Sequence, residues 1–104
     1  MFCRLSSTLM SLGLAATIAT VPARAEINIG LSVPLQGTLA LLGQQAEIGA
    51  RAAIEAANAN GGVNGEVVSL TVVDDGCSEE KATAAATLLE QAAVTSVLGL
   101  LCFE

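Results

Sequence analysis

The chain has 104 residues, no histidine and a formal net charge of −6, with 53% hydrophobic residues. The length excludes two complete domains. Four basic residues exclude nucleic-acid binding through phosphate contacts, and the missing histidine removes the commonest catalytic base and metal ligand.

Residues 1–25 carry the marks of a secretory signal peptide. Arg4 gives a positive start, Leu9 to Val21 is an apolar run broken only by Ser11, Gly13, Thr17 and Thr20, and Ala23-Arg24-Ala25 is a small-x-small cleavage site. Cleavage after Ala25 leaves a mature chain that begins at Glu26. The run falls short of the about 20 residues of a spanning helix. An uncleaved membrane anchor is the alternative reading. Glu26 rather than a cysteine stands directly after the cleavage site, which argues against lipid attachment there. Residues 26–104 hold every acidic side chain but only Arg51 and Lys81 as bases, an acidity that favours solubility.

Ile27 to Ser32 reads as the first strand. Ile27, Ile29, Leu31 and Val33 share one face, and Asn28, Gly30 and Ser32 share the other. Pro34 and Gly37 stop it. A strand that feeds a helix and precedes further strands belongs at the centre of a parallel sheet, and its carboxyl end is where α/β proteins bind ligands. The loop Gly37 to Gly43 carries Thr38, Leu39, Leu41 and Leu42, whose leucines either pack beneath the loop or wall a pocket. A helix is predicted over Gln44 to Asn60, with Ala46, Gly49, Ala50, Ala53, Ile54 and Ala57 on one small-residue face. Glu47, Arg51 and Glu55 form an i, i+4 ladder on its solvated side. Asn60 to Gly65 then supplies a C-cap and a turn. These glycines follow the helix, so they are not the dinucleotide fingerprint, and no Gly-Lys-Ser/Thr phosphate loop is present.

Glu66 to Val73 is the second strand, alternating Val68, Leu70 and Val72 with Ser69 and Thr71 in the manner of an edge. In Asp74-Asp75-Gly76-Cys77, two adjacent carboxylates could ligate a metal or hold a ribose hydroxyl. No further ligand stands at metal spacing, so the pair reads as a solvated strand end, and no metal or cofactor is expected. Ser78 to Ala93 is the second helix. Ser78 is its N-cap, Glu79 and Glu80 face the positive end of the helix dipole, and Lys81 stands where a capping box has Glu. Its buried stripe is Ala82, Ala85, Ala86, Leu89 and Ala93. Val94 to Leu100 is a continuous apolar run of the kind buried in parallel sheets. The sequence stops at Leu101-Cys102-Phe103-Glu104, directly after this strand, and is therefore expected to be the front piece of a longer protein. The predicted fold class is α/β: a β-α-β-α-β portion of a doubly wound parallel sheet over residues 26–104, preceded by a signal peptide over residues 1–25.

Cys3 leaves with the signal peptide, so Cys77 and Cys102 remain, each just past the carboxyl end of a strand. An even pair in an exported chain suits a disulfide. In a sheet ordered 2-1-3 those strand ends stand about 10 Å apart, whereas a disulfide needs Cα atoms within about 7 Å. The loops must therefore curl over the central strand, and two free thiols are the competing reading. A catalytic cysteine is not expected without a histidine base.

Several segments carry a family likeness when taken in order: Ile29 to Gly37 (IGLSVPLQG), Gly43, Gly49 to Ile54 (GARAAI), Asn58 to Gly65 (NANGGVNG), Asp74 to Cys77 (DDGC) and Val97 to Cys102 (VLGLLC). They resemble the amino-terminal end of the periplasmic branched-chain amino-acid binding proteins, the leucine/isoleucine/valine type, over nearly all of residues 26–104. The resemblance implies a type I periplasmic binding fold, with a ligand cleft between two α/β lobes and residues 26–104 forming part of the first. It implies a periplasmic, non-enzymatic, substrate-binding component of an ABC importer for branched-chain or related amino acids or amides. Its partners would be a small-molecule ligand and an ABC permease, with no nucleic acid and no cofactor. Members similar to this chain bridge the cysteines that match Cys77 and Cys102. By position, the resemblance implies Leu42 and Phe103 as the ligand-binding residues. Relatives often have an aromatic residue in place of Leu42, and Ser or Thr in place of Phe103. One lobe alone cannot close on a ligand, so residues 26–104 by themselves are not expected to bind an amino acid tightly.

Two other classes compete with transport. A ligand-sensing ectodomain or regulator built on the same lobe is compatible with the signal peptide and would show a downstream transmembrane segment. A nucleotide-dependent enzyme on a doubly wound sheet is opposed by the misplaced glycines and the missing phosphate loop.

Overall fold

The computed structural model describes residues 26–99 together with Leu101 and Cys102. The expected signal peptide, its cleavage after Ala25, the strand end at Leu100 and the site residue Phe103 lie outside the described residues. The elements run β1 (Glu26–Val33), α1 (Ala40–Ala59), β2 (Val67–Asp74), α2 (Glu79–Gln91) and β3 (Ser96–Gly99). The strands form one parallel sheet in the order β2-β1-β3, so β1 is central as its sequence position predicts. Leu31 stands opposite Val72 on one side and Leu98 on the other.

Both helices pack on β1 and β2 but not on each other, one on each face of the sheet. Leu31, Val33 and Val68, all buried, lie on the face that α1 covers. Val73, Ala85 and Leu89 form the core on the α2 face, with Val94 packed against them. The alternation within β1 therefore separates two packing partners. Gly30 is buried, and a Cβ there would lie 2.8 Å from Leu89 Cδ2. The absence of a side chain lets α2 settle onto the strand.

Asn28 occupies the same face. Its Oδ1 accepts from Ser69 Oγ (3.2 Å) and Thr71 Oγ1 (3.0 Å), and its Nδ2 donates to the Ala92 carbonyl (2.9 Å). The Ala92 carbonyl belongs to the last turn of α2, where carbonyls lack helical partners. The backbone N–H of Thr95 donates to the Asn28 carbonyl (2.7 Å), so one residue of β1 fixes the end of α2 and the approach to β3.

α1 begins at Ala40, four residues before the predicted start, and takes in Leu41, Leu42 and Gly43. Its N-cap is Leu39, which offers no side-chain hydrogen bond, so the usual Ser, Thr, Asp or Asn signal is missing. The two leucines face outward rather than packing under a loop: Leu41 is 68% exposed and Leu42 45%. The sheet-facing stripe runs Gly43, Ala46, Ala50, Ile54, Ala57, while Gly49 and Ala53 are exposed. Gly43 is required by contact, because a Cβ there would collide with the Pro34 carbonyl oxygen.

Both helices end in the same motif, in which the next two N–H groups reach back to orphan carbonyls. After α1, Gly61 N–H bonds Asn58 O (3.1 Å) and Gly62 N–H bonds Ala57 O (2.9 Å), with Gly61 at φ +95°. After α2, Ala93 N–H bonds Glu90 O (3.0 Å) and Val94 N–H bonds Leu89 O (3.4 Å). Here the left-handed residue is Ala93, at φ +52°, which explains why α2 stops at Gln91 rather than continuing to Ala93. At the other end of α2, Ser78 caps as predicted, accepting from Lys81 N–H (3.3 Å).

The third strand differs from expectation. β3 spans Ser96–Gly99, and all four residues are exposed. Its order in the sheet is the cause: it lies at an edge, and neither helix reaches it. β2 is the other edge, as predicted. There Asn58 of α1 pairs with both backbone groups of Val68, donating to its carbonyl (2.8 Å) and accepting from its N–H (2.9 Å).

Two substitutions test this framework by urea unfolding. Asn28→Ala removes three side-chain hydrogen bonds and is expected to cost about 2–3 kcal/mol. Ala93→Gly relieves a left-handed alanine and is expected to stabilise the protein by about 0.5–1 kcal/mol; a loss of stability would contradict the helix end described here.

Candidate functional site

The parallel strands bring three chain segments together at one end of the sheet. β1 delivers Ser32 to Leu35, β2 delivers Asp74 to Cys77, and the segment after β3 delivers Cys102. Register aligns them, with Val33 opposite Asp74 and Ser32 opposite Gly99.

The two carboxylates expected to be a solvated strand end are instead built into the backbone. Asp75 is only 7% exposed. Its Oδ2 accepts from Ser32 Oγ (2.9 Å) and its Oδ1 from Cys77 N–H (3.1 Å). Asp74 Oδ1 accepts from the N–H groups of Leu35 and Gly76, both at 2.9 Å. The Leu35 N–H is the chief cause that holds the Asp74 carboxyl below its ordinary value. Desolvation opposes it as the next-largest effect, and Gly76 N–H and the charge of Lys81 add to the lowering. The missed signal is local: an Asp that accepts from the N–H two residues on forms an Asx-turn, and Asp74 with Gly76 and Asp75 with Cys77 are two such turns in succession.

Gly76 and Cys77 both adopt left-handed backbone, at φ +52° and +50°. This pair of residues curls the loop over the end of β1, and Cys77 and Cys102 sit at bonding distance with Cα atoms 5.4 Å apart. Cys102 Sγ lies 3.6 Å from Asp75 Oδ1.

Beside this cluster, an open and mainly apolar groove runs along the exposed flank of α2. Ser32, Ser78, Ala82, Leu89, Val97 and Cys102 contribute to its lining. Ala82 and Ala86, assigned to the buried stripe of α2 by periodicity, are exposed along this flank. Leu42 is not in the groove. It sits in the first turn of α1, next to Gly43, which rests on the carbonyl of Pro34. It thus stands at the same end of the sheet but on its other side. The groove can bury an aliphatic group and offer hydroxyl hydrogen bonds. Its lining also carries the carboxylates of Asp75, Glu79 and Glu90.

Residues 26–102 match the profile of a family described as periplasmic binding protein. The chain is 38% identical over 93 residues to the Leu/Ile/Val-binding protein homolog 3 of Brucella melitensis, covering 88% of this chain and 25% of the relative. It is 37% identical to the Leu/Ile/Val-binding protein BraC3 of Rhizobium johnstonii, covering 83% and 24%. An amino acid binding protein of Pseudomonas aeruginosa is 40% identical over 81 residues, covering 77% and 22%. The fold is similar to the branched-chain amino acid transporter substrate binding protein LivJ of Streptococcus pneumoniae, crystallised with isoleucine. The TM-score is 0.67 at 30% identity, covering 73% of this chain and 22% of that one. The chain spans about a quarter of the length of these curated relatives.

Asp74 makes stability depend on acid. Its folded pKa lies below the ordinary value of 3.8, so its contribution is complete above that value and lost as pH falls through the folded pKa. Asp74→Asn is expected to lower stability at neutral pH and to flatten its acid dependence below about pH 4, measured as urea midpoints across that range.

Proposed function

The chain belongs to the periplasmic binding protein family, and from that premise we propose that it supplies part of the first lobe of a solute receptor for branched-chain or related amino acids. The complete receptor would hand its ligand to an ABC permease in the membrane. The observation that carries this reading is the family match across residues 26–102. It coincides with a sheet end that offers an apolar wall beside oriented hydroxyls. An aliphatic amino acid asks for that combination: a dry surface for its side chain and hydrogen-bonding groups for its ammonium and carboxylate. The relatives are named as binding proteins, and no catalysis is proposed.

Within this reading, Leu42 adds apolar surface to the ligand site from the other side of the same sheet end, outside the groove, and Phe103, the residue after Cys102, is the second apolar contact. A disulfide between Cys77 and Cys102 locks the loops at the strand ends. Closing a ring of this size stabilises by about 3–4 kcal/mol in the chain-entropy model. Residues 1–25 direct export and are removed after Ala25, placing the protein in the periplasm. Residues 26–104 alone offer one open wall, from which a bound amino acid is not shielded from water.

Calorimetric titration with L-leucine, L-isoleucine and L-valine tests the assignment. Saturable one-site binding is expected for the receptor with both lobes and none for residues 26–104 alone. A two-lobed protein that binds none of the three overturns it. The intact mass of the exported product tests the processing: it should begin at Glu26 and be two hydrogens lighter than the dithiol. A retained Met1 or two alkylatable thiols would contradict the export or the bridge, respectively.

A further inference from the structure

The face of α1 that points away from the sheet is apolar where a surface helix ordinarily carries charge. At about 100° per residue, Leu41, Ile48, Ala52 and Ala59 fall on one stripe opposite the sheet-facing Gly43, Ala46, Ala50, Ile54 and Ala57. All four are exposed, and Leu41 and Ile48, at 68% each, are the most exposed of the large hydrophobic residues described. Single exposed aliphatic side chains are ordinary, but several in register along one helix present area that another helix can bury. We propose that this stripe is a self-association surface, on which α1 of one chain packs antiparallel against α1 of a second copy. The proposal does not depend on the solute-binding reading.

The occupant follows from the order of side chains along the stripe. In an antiparallel pair with its two-fold axis level with Ala50, positions equally far from Ala50 on either side stand opposite one another. Ile48 then meets Ala52 of the second copy, and Leu41 meets Ala59. Each large side chain faces a small one, and symmetry repeats the fit at the other end, so the helix axes can close to about 8 Å. A parallel pairing sets Ile48 against Ile48 and Ala52 against Ala52 and loses this fit.

Charge agrees with the same occupant. The chain is acidic, with a formal net charge of −6, yet the stripe itself bears no charge. Beside it, Arg51 is paired with its own Glu47 at 2.6 Å. Two copies therefore approach along α1 without burying an unpaired cation. The same axis sets Gln44 of one copy beside Glu55 of the other, an amide donor next to a carboxylate. An anionic membrane surface suits the stripe less, because Arg51 is the one base of α1 and is already paired. The 20 residues of α1 span about 30 Å. A single contact of that length buries less than the about 800 Å² per partner of a standard interface. The dimer is accordingly weak, forming at micromolar concentration or above.

Sedimentation equilibrium of the exported chain, from about 5 to about 500 μM, tests the proposal. A reversible monomer–dimer equilibrium is expected. Ile48→Asp and Ala52→Glu, both at exposed positions, should each weaken it by at least about tenfold. Leu88→Asp, at an exposed leucine of α2, should leave it unchanged. An equal mixture of Ile48→Cys and Ala52→Cys chains, each also carrying Cys3→Ser, reads the direction of packing: mild oxidation should link unlike chains in preference to like ones. A chain that stays monomeric throughout, a dimer indifferent to Ile48→Asp and Ala52→Glu, a dimer equally lost in Leu88→Asp, or bridging without preference for unlike chains overturns the proposal.

Discussion

The side-chain amide of Asn28 joins the central strand to β2 and to the end of α2. It sits inside the α2 face of the central strand and satisfies Ser69, Thr71 and the orphan carbonyl of Ala92. A polar group at such a position is costly unless every partner is present. Its demands therefore select one placement of α2 over β1 and β2. Once the end of α2 is fixed there, Val94 folds back on Leu89 and Thr95 bonds the Asn28 backbone. β3 then enters with Ser96 beside Ile29. The position of Cys102 over the end of the sheet follows from that register, and so does its distance from Asp75.

Much of this was legible in the residues, and the exceptions have physical causes. The order of elements, the central β1, the edge position of β2 and the Ser78 cap follow from periodicity and from side chains that mark an end. The start of α1 was hidden because Leu39 caps it without a side-chain hydrogen bond. The end of α2 was hidden because an alanine takes a conformation usually left to glycine. Asn28, Gly30 and Ser32 were grouped on one face of β1, but the close crossing of α2 over that face depends on tertiary packing that periodicity does not report. β3 looked buried because its composition is apolar, yet burial depends on which neighbours arrive, and neither helix reaches it. At the candidate site, the cysteine pair was visible from its even count in an exported chain and from its place past two strand ends. The roles of Asp74 and Asp75 were not, because they depend on backbone N–H groups brought over from β1 and from their own turn.

The strand ends show how the rim of a sheet can be stiff without a large core. The loops after β1 and β2 are held by charge-assisted hydrogen bonds from backbone N–H groups to Asp74 and Asp75. Such bonds fix direction as well as distance. Binding at a rim of this kind loses little conformational freedom, which leaves more of the contact energy to appear as affinity.

The bidentate grip of Asn58 on Val68 has a consequence for assembly. It occupies the outward backbone donor and acceptor at that point of β2, while the turn beyond α1 folds back through the Val63–Glu66 bridge beside the start of the strand. Among the described residues, nothing comparable pairs with the far side of β3, whose Val97 and Leu98 are half exposed. The sheet is thus polarised laterally, with one margin obstructed and one receptive. A further strand, whether from the same polypeptide or from a neighbour, would dock beside β3 and extend the order to 2-1-3-4. Strand exchange between molecules would be confined to the same margin.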